Sequence, residues 1–245
     1  MNNKVYIHEF IDITKQNRAR YMHHMAANWS PLAQELRHQL CYGVWGVVGS
    51  TGRWPQVVNV WEEDGFDGLA RSFAAEVGQA TLQDPALAKW WAAAADLRSG
   101  GLDRLLVPHP DTLTIEELCA ADPAGEAGEA FAHEVITVRP GTARQFLDSA
   151  LAGAGKARAG YGWHLAGAWW TAMRNLDEAV LLWSVPTFPA WAAAERELAH
   201  GRDVLLPDSA DAVLGRERIL LAAAPLCPFR TGRQPSRDDR TDWVD

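Results

Sequence analysis

Two pairs of adjacent histidine and glutamate residues carry the groups of this chain best suited to acid–base chemistry. His8 and Glu9 lie in the run VYIHEFIDI, and His133 and Glu134 lie in the similar run AFAHEVITV. Residues in both runs alternate between two faces, which is typical of a β-strand. Each glutamate falls on the apolar face, so it is expected to lose water and to have a raised pKa. Such a carboxyl can act as a general acid or base near neutral pH.

An ion pair is the alternative interpretation of both glutamates. A buried carboxylate can be held by an arginine, and the candidates are Arg71, Arg139 and Arg174. In that case Glu9 and Glu134 would only stabilise the sheet. The residues leave these two interpretations open.

The two histidines are predicted to project from the opposite face. Neighbouring residues of a flat strand point apart, so neither His-Glu pair forms a catalytic dyad. Neither pair is followed by the second histidine of an HExxH motif, and no metal site is predicted. His8 and His133 are therefore expected to be core residues with one hydrogen bond each. If the faces are reversed, they become candidates for catalysis or for ligating haem.

Further substrate-binding candidates are aromatic or polar side chains in the predicted strands. Asn59 lies among valines and needs a hydrogen-bond partner, which a substrate oxygen or the protein itself could supply. The chain has 12 tryptophans, which form either a tryptophan-rich core or the wall of a pocket for a flat apolar ligand. The candidates are Tyr6, Trp45, Asn59, Trp61, Trp169 and Trp183.

The composition argues against several classes of protein. The chain has 245 residues, 48% of them hydrophobic, which suits one large domain or two small ones. A net charge of −8 without a basic stripe argues against nucleic acid and membrane surfaces as partners. The sequence contains no run of about 18 apolar residues, so no membrane span is predicted. The N-terminus lacks a signal-peptide pattern and the three cysteines form no CxxC pair, so a cytoplasmic location is expected.

The predicted elements occur twice in the same order. Each half reads strand, helix, strand, strand, helix, strand. Besides the His-Glu pairs, VVNVW in the first half matches AVLLW in the second, and RLLVP matches RILLA. The predicted boundaries are a first repeat at 1–112, a linker at 113–129, a second repeat at 130–228 and a polar C-terminal tail at 229–245. That tail is expected to be loosely held unless Trp243 docks.

This repeat predicts an α+β fold. A βαββαβ unit makes a ferredoxin-like antiparallel sheet with both helices on one face. The predicted strands are apolar on both faces, so the bare face must also be covered. We therefore expect two tandem ferredoxin-like repeats whose sheets pack face to face as an intramolecular α+β barrel, with a cavity that holds the substrate.

Several segments resemble the NIPSNAP family of the dimeric α+β barrel superfamily. They are VYIHEF, the hairpin YGVWGVVGSTGRWPQVVNVWEE and the helix FDGLARSF, whose arginine is Arg71. The similarity covers residues 4–110 well, although Ile7 and Glu9 stand where family members carry Glu and Arg. The resemblance implies the barrel fold and adds Arg71 to the substrate-binding candidates. The superfamily includes cofactor-free monooxygenases, polyketide cyclases, isomerases and haem-binding enzymes, and a homodimer is left open.

The predicted function is that of an enzyme acting on an apolar or aromatic small molecule without a cofactor. Glu9 or Glu134 would transfer a proton, and Asn59 and Trp61 would position the substrate. Isomerisation, cyclisation and cofactor-free oxygenation are compatible reactions. The alternatives are a non-catalytic binding or interaction protein, and a haem protein that uses His8 or His133.

Overall fold

The structure, a computed structural model, describes residues 2–125, 128–202 and 210–239. The first half contains β1 (Val5–Ile13), α1 (Arg18–His23), a π-helix (His24–Trp29), α2 (Ser30–Arg37), β2 (Leu40–Val47), β3 (Gln56–Glu63), α3 (Gly65–Val77), α4 (Ala88–Ala95) and β4 (Arg98–Pro108). The second half contains β5 (Ala130–Val138), α6 (Ala143–Ala159), β6 (His164–Ala172), β7 (Glu178–Val185), α7 (Phe188–Ala199) and β8 (Val213–Ala223). The α+β class and the two βαββαβ repeats predicted from the sequence are therefore confirmed.

By contacts, the described residues divide into two compact units. The N-terminal unit comprises residues 3–104, 114–125 and 223–239, and the C-terminal unit comprises residues 2, 105–113, 128–202 and 210–222. In the N-terminal unit, β3 pairs antiparallel with both β1 and β2. In the C-terminal unit, β5 pairs with β7 and β8, and β6 pairs with β7 and with the last four residues of β4.

Strand register shows that the repeat extends to individual residues. In the N-terminal unit, Glu9 is paired with Asn59 across β1 and β3. In the C-terminal unit, Glu134 is paired with Leu181 across β5 and β7. Ile7 faces Trp61 and Ala132 faces Trp183 in the same two ladders, so the two glutamates occupy equivalent positions.

A glycine and a tryptophan two residues later form a second repeated feature. The register shifts between Cys41 and Gly43 in β2, and it shifts again between Leu165 and Gly167 in β6. A Cβ atom on Gly43 would lie 2.0 Å from the Cη2 atom of Trp45. The corresponding distance from Gly167 to Trp169 is 1.9 Å. Each indole therefore lies directly over its glycine, and both tryptophans are buried.

The first helical segment changes its winding instead of breaking. The sequence predicts a kink or a break at Ser30-Pro31, because Ser30 can cap a new helix that has Pro31 at its first position. The structure has six π-helical residues immediately before this point, and Ser30 makes no side-chain cap. Short π-helical stretches are rare and occur frequently at functional sites.

The predicted linker and tail both contain ordered structure. Helix α5 (Ile115–Ala121) begins at a capping box formed by Thr114 and Glu117. After β8, helix α8 (Pro228–Thr231) and a 3-10 turn (Arg237–Asp239) follow. Gln234 accepts a hydrogen bond from the Cys41 amide at 2.9 Å and donates one to the Cys41 carbonyl at 2.8 Å. The expected loose tail is therefore wrong for residues 229–239, whereas Trp243 lies outside the described residues.

None of the described helices combines the length and the apolar character that crossing a bilayer requires.

Candidate acid–base site

Glu9 is the centre of a hydrogen-bonded cluster in the N-terminal unit. Its Oε2 atom accepts hydrogen bonds from Asn59 Nδ2 at 2.9 Å and from Trp61 Nε1 at 2.8 Å. Asn59 and Trp61 are two residues apart on β3, so their side chains project from the same face of the sheet. Glu9 is paired directly with Asn59, which brings the three groups together.

Helix α1 covers this cluster. Asn59 Nδ2 also donates to the Tyr21 hydroxyl oxygen at 3.1 Å, and Tyr21 lies on α1. Tyr21, Asn59 and Trp61 are buried, whereas Glu9 is half-buried. Glu9 is thus the least buried residue of the cluster.

The surroundings of Glu9 favour its protonated form. Burial raises its pKa, and the negative charge of Asp103 raises it further. The hydrogen bonds from Trp61 and Asn59 and the positive charge of Arg98 act in the opposite direction but do not cancel the rise. Burial and the charge of Glu9 also raise the pKa of Tyr21. The predicted raised pKa of Glu9 is therefore confirmed, since neutral donors offset desolvation only in part.

The face on which Glu9 lies differs from the prediction. The sequence favoured glutamates that face the substrate cavity and left the reversed faces as an alternative. Asn59 bonds both Glu9 and Tyr21, so Glu9 lies on the face that α1 covers, as in the reversed alternative. His8 projects from the opposite face, where its ring meets Phe10 edge-on with centroids 4.9 Å apart. The error arose because β1 carries apolar residues on both faces, so alternation could not identify the helix-covered one.

Glu134 has a different environment in the C-terminal unit. Its carboxylate accepts hydrogen bonds from Arg158 Nη2 at 3.0 and 2.9 Å, from Arg216 Nη2 at 2.9 Å and from Arg218 Nε at 3.0 Å. Burial alone would raise the pKa of Glu134, but the three guanidinium charges outweigh that effect and lower it to about 2. The predicted raised pKa is therefore wrong for Glu134, which stays ionised at neutral pH.

This ion cluster also corrects the predicted arginine partners. The sequence suggested Arg71, Arg139 or Arg174, but Glu134 is bound by arginines on α6 and β8. The Arg158 guanidinium lies 4.1 Å from the ring centre of Trp183, and Arg218 also pairs with Glu195 at 2.5 Å. The short segment GAGKARAG contains Arg158, but nothing in it indicates a partner 24 residues away.

The remaining predicted site residues lie away from Glu9. Tyr6 projects from the opposite face of β1, and its hydroxyl donates to Glu62 at 2.9 Å. Arg71 is exposed on α3, and His133 is buried in β5. Trp45, Trp169 and Trp183 are buried in the packing of their own units. Of the predicted set, the structure therefore brings together Glu9, Asn59 and Trp61.

Sequence reasoning missed three members of the cluster, Tyr21, Arg98 and Asp103. Tyr21 was identified only as part of an apolar helical stripe, and its phenol gave no sign of a polar partner. Arg98 and Asp103 lie about 90 residues after Glu9, and their charges act on it because β4 begins beside this cluster. The segment RSGGLD carries no local motif that would have indicated such a role.

No protein-family model matches this chain, and no curated protein matches it. Solved structures share its fold. An anthrone oxidase-like protein has a TM-score of 0.58 and 13% identity over 91% of this chain and 92% of its own. A candidate monooxygenase from Lactobacillus acidophilus has a TM-score of 0.55 and 8% identity over 96% and 97%. A candidate chlorite dismutase has a TM-score of 0.54 and 10% identity over 94% and 98%. Since the identities are this low, the similarity establishes the fold alone.

Proposed function

We propose that this protein is an enzyme that acts on a small apolar or aromatic molecule, and that Glu9 transfers a proton in the reaction. The observation that carries the proposal is the carboxyl of Glu9, whose pKa is raised by burial and whose Oε2 atom is held by Asn59 and Trp61. A carboxyl in this state exchanges a proton near neutral pH more readily than an exposed glutamate does.

The two oxygens of Glu9 have separate tasks in this proposal. Both hydrogen bonds that Glu9 accepts from described side chains end on Oε2, so they fix the orientation of the carboxyl. Oε1 then receives the proton from the substrate. Asn59 and Trp61 are buried, so they position the base rather than touch the substrate. This assigns them a different task from the substrate-positioning role expected from the sequence.

Arg98 is the group best placed to stabilise negative charge on the substrate. It is half-buried at the start of β4, and its charge lowers the pKa of both Glu9 and Tyr21. Removal of a proton beside a carbonyl group places negative charge on the carbonyl oxygen. A guanidinium next to the base would stabilise that charge as it develops.

Isomerisation, cyclisation and cofactor-free oxygenation all begin with proton removal. The descriptions of two structural neighbours, an anthrone oxidase-like protein and a candidate monooxygenase, favour oxygenation by dioxygen. A carbanion formed from an activated CH₂ group adds O₂ and becomes a peroxide anion. Protonation of this anion gives a hydroperoxide, which loses water. One CH₂ group and one O₂ thereby become one C=O group and one H₂O.

Hydrogen–deuterium exchange into a carbon acid tests the proton transfer directly. Anthrone is incubated in D₂O without oxygen, and loss of its CH₂ signal is followed by NMR with wild type, Glu9→Gln and Glu217→Gln. The last variant removes an exposed carboxylate in the C-terminal unit and is the matched control. We expect wild type and the control to accelerate exchange, and Glu9→Gln to be slower by about 10² to 10⁴. Equal rates in Glu9→Gln and wild type, over a panel of aromatic ketones, would refute the role of Glu9.

A binding protein without catalysis is the competing function. It predicts saturable binding of the same ketones with no exchange in any variant. Oxygen uptake with anthrone in aerated buffer provides a second readout, because turnover consumes one O₂ for each C=O group formed.

The haem alternative is not supported at the predicted ligands. A histidine that binds haem iron lines open space when the haem is absent, so solvent should reach its ring. His8 is 0% exposed and His133 is 2% exposed, so neither histidine fits the role of a haem-binding residue. A purified protein with a Soret band that is lost in His8→Ala or His133→Ala would contradict this conclusion.

We also propose that the chain is a cytoplasmic member of a NIPSNAP-like branch of the superfamily, and that it forms a homodimer. The sequence resemblance over residues 4–110 supports the first point. The free thiols of Cys41, Cys119 and Cys227 support a reducing compartment. Light scattering of the purified protein tests the dimer, and a mass near 27.0 kDa would refute it.

A further inference from the structure

A pocket of about 350 Å³ lies in the N-terminal unit between the π-helix and α4. It is lined by residues from both helices together with α2 and the C-terminal 3-10 turn, among them His24, Asn28, Leu32, Lys89, Trp90 and Arg237. None of these residues is bonded to Glu9. Its volume is near the lower end of the range for small-molecule sites, so it suits a ligand of one or two rings.

The walls of the pocket are largely aromatic. The rings of His24 and Trp90 are stacked, with centroids 5.3 Å apart and planes inclined by 9°. Trp90 also contacts Trp29 at 4.3 Å, which holds the indole in place from the π-helix side. Leu32 and Ala93 add apolar surface. A flat apolar ring would therefore be desolvated favourably here.

Two buried polar atoms on the wall have no hydrogen-bond partner in the described part of the chain. They are Asn28 Oδ1, an acceptor, and Trp90 Nε1, a donor. Asn28 is fixed through its other amide atom, because Nδ2 and His24 Nδ1 are 3.1 Å apart. Neither atom has accessible surface in the ligand-free protein, so a ligand reaches them only after the Asn28 amide and the Trp90 indole rotate. A ligand that offers one acceptor and one donor would then satisfy both, because buried polar groups are normally paired.

The charge at the pocket is positive. Arg237 is already paired with Glu35. Lys89 is exposed and has no ion-pair partner among the residues that the structure describes. Its ammonium group is thus available to a carboxylate on the ligand.

From these features we infer that the pocket between the π-helix and α4 binds a small aromatic carboxylate that carries a hydroxyl or N–H group. Its ring lies against His24 and Trp90, and its carboxylate meets Lys89 and the indole N–H. Its hydroxyl or N–H group donates to Asn28. This site is separate from the Glu9 cluster and does not depend on the reaction proposed there.

Titration with 4-hydroxybenzoate, followed by NMR of ¹⁵N-labelled protein, tests the inference. The 12 tryptophans give 12 indole N–H signals, and Trp90→Phe identifies the signal of Trp90 by its loss. We expect that signal to shift in a saturable manner. Lys89→Gln should weaken binding about fivefold, which is the effect of losing one exposed ion pair of about 1 kcal/mol. Lys156→Gln removes an exposed lysine of the C-terminal unit and should have no effect.

Two further variants keep the test decisive. Ala93→Leu fills the pocket from an exposed position of α4, so the variant should fold and should not bind. Glu9→Gln should bind as wild type does, which separates this inference from the proposed function. The inference is overturned if wild type does not bind at millimolar concentration, if Ala93→Leu binds equally well, or if Lys89→Gln and Lys156→Gln behave alike.

Discussion

Glu9 and Glu134 occupy the same position in the two repeats, but their pKa values are shifted in opposite directions. Each lies on the first strand of its repeat and is paired with the third strand in the same register. Glu9 is surrounded by neutral donors and has a raised pKa, whereas Glu134 is bound by three arginines and has a pKa of about 2. The fold therefore sets where the carboxyl lies, and the neighbouring side chains set its acidity.

The difference comes from how each site offsets the cost of removing a charge from water. Neutral donors such as Asn59 and Trp61 stabilise a carboxylate only modestly, so the pKa of Glu9 stays raised. Guanidinium groups add a full positive charge each, which outweighs desolvation at Glu134. The first arrangement suits proton transfer and the second suits structural support.

The largest expected effect is on the stability of the Glu134 site. Glu134→Gln leaves Arg158, Arg216 and Arg218 without their shared carboxylate, so we expect a loss of about 3 to 5 kcal/mol at pH 7. Glu9→Gln keeps an amide oxygen for Asn59 and Trp61 and should change stability by less than about 1 kcal/mol. Urea unfolding of both variants measures the contrast, and equal losses would show that the two sites do not differ as described.

The two glutamates should also have opposite effects on the pH dependence of unfolding. The pKa of Glu134 is depressed from 4.5 to about 2, so its contribution is present above pH 4.5 and is lost as the pH falls toward 2. That contribution is about 3 kcal/mol. The pKa of Glu9 is higher in the folded protein than the value of 4.5 in the unfolded chain. The unfolded chain therefore loses this proton first, and the stability of the fold declines as the pH rises from 4.5 through the folded pKa.

Unfolding curves from pH 2 to 8 test both signs. Glu134→Gln should be less sensitive to acid than wild type, and Glu9→Gln should lose the decline above pH 4.5. An unchanged acid limb in Glu134→Gln would refute the depressed pKa.

The shared scaffold should respond equally in both repeats. Gly43→Ala and Gly167→Ala each place a methyl group about 2 Å from a buried indole, so we expect a loss of about 2 kcal/mol for each. Thermal unfolding measures both. A large effect in one repeat alone would show that the glycine–tryptophan feature is not equivalent in the two.

The smallest expected effects distinguish the equivalent tryptophans. Trp61→Phe removes a donor to Glu9 and should raise the pKa of that carboxyl further. Trp183→Phe keeps an aromatic ring beneath Arg158. The indole N–H of Trp183 has no hydrogen-bond partner among the residues that the structure describes, so the ionisation of Glu134 should not change. Titration of ¹³C-labelled glutamate carboxyls by NMR reports both values.

The repeat could be predicted because it depends on short local patterns. Alternation in VYIHEFIDI and AFAHEVITV located β1 and β5, and the matching VVNVW and AVLLW runs located β3 and β7. The sequence placed Asn59 and Trp61 in one candidate site with Glu9, whereas their direct hydrogen bonds to Glu9 were not predicted. The glycine–tryptophan feature was missed, although GVW and GAW at equivalent points would have indicated it.

The electrostatic difference between the repeats could not be predicted in the same way. Arg158, Arg216 and Arg218 reach Glu134 from elements 24 to 84 residues away, and no local spacing identifies such partners. The helix-covered face was also misassigned, since strands that are apolar on both faces do not distinguish a helix from a second sheet. The π-helix depends on the packing of Trp29 and Trp90, which lie 61 positions apart.

The side chain of Gln234 has a consequence for shortened versions of the protein. The amide group of Gln234 makes hydrogen bonds with both the N–H and the carbonyl of Cys41. It therefore imitates a short neighbouring strand at this point of β2. A chain cut after Gly232 would leave both groups unpaired, and unpaired strand edges promote self-association. An expression clone that stops there should yield aggregates, whereas one that retains residues up to 239 should stay dispersed.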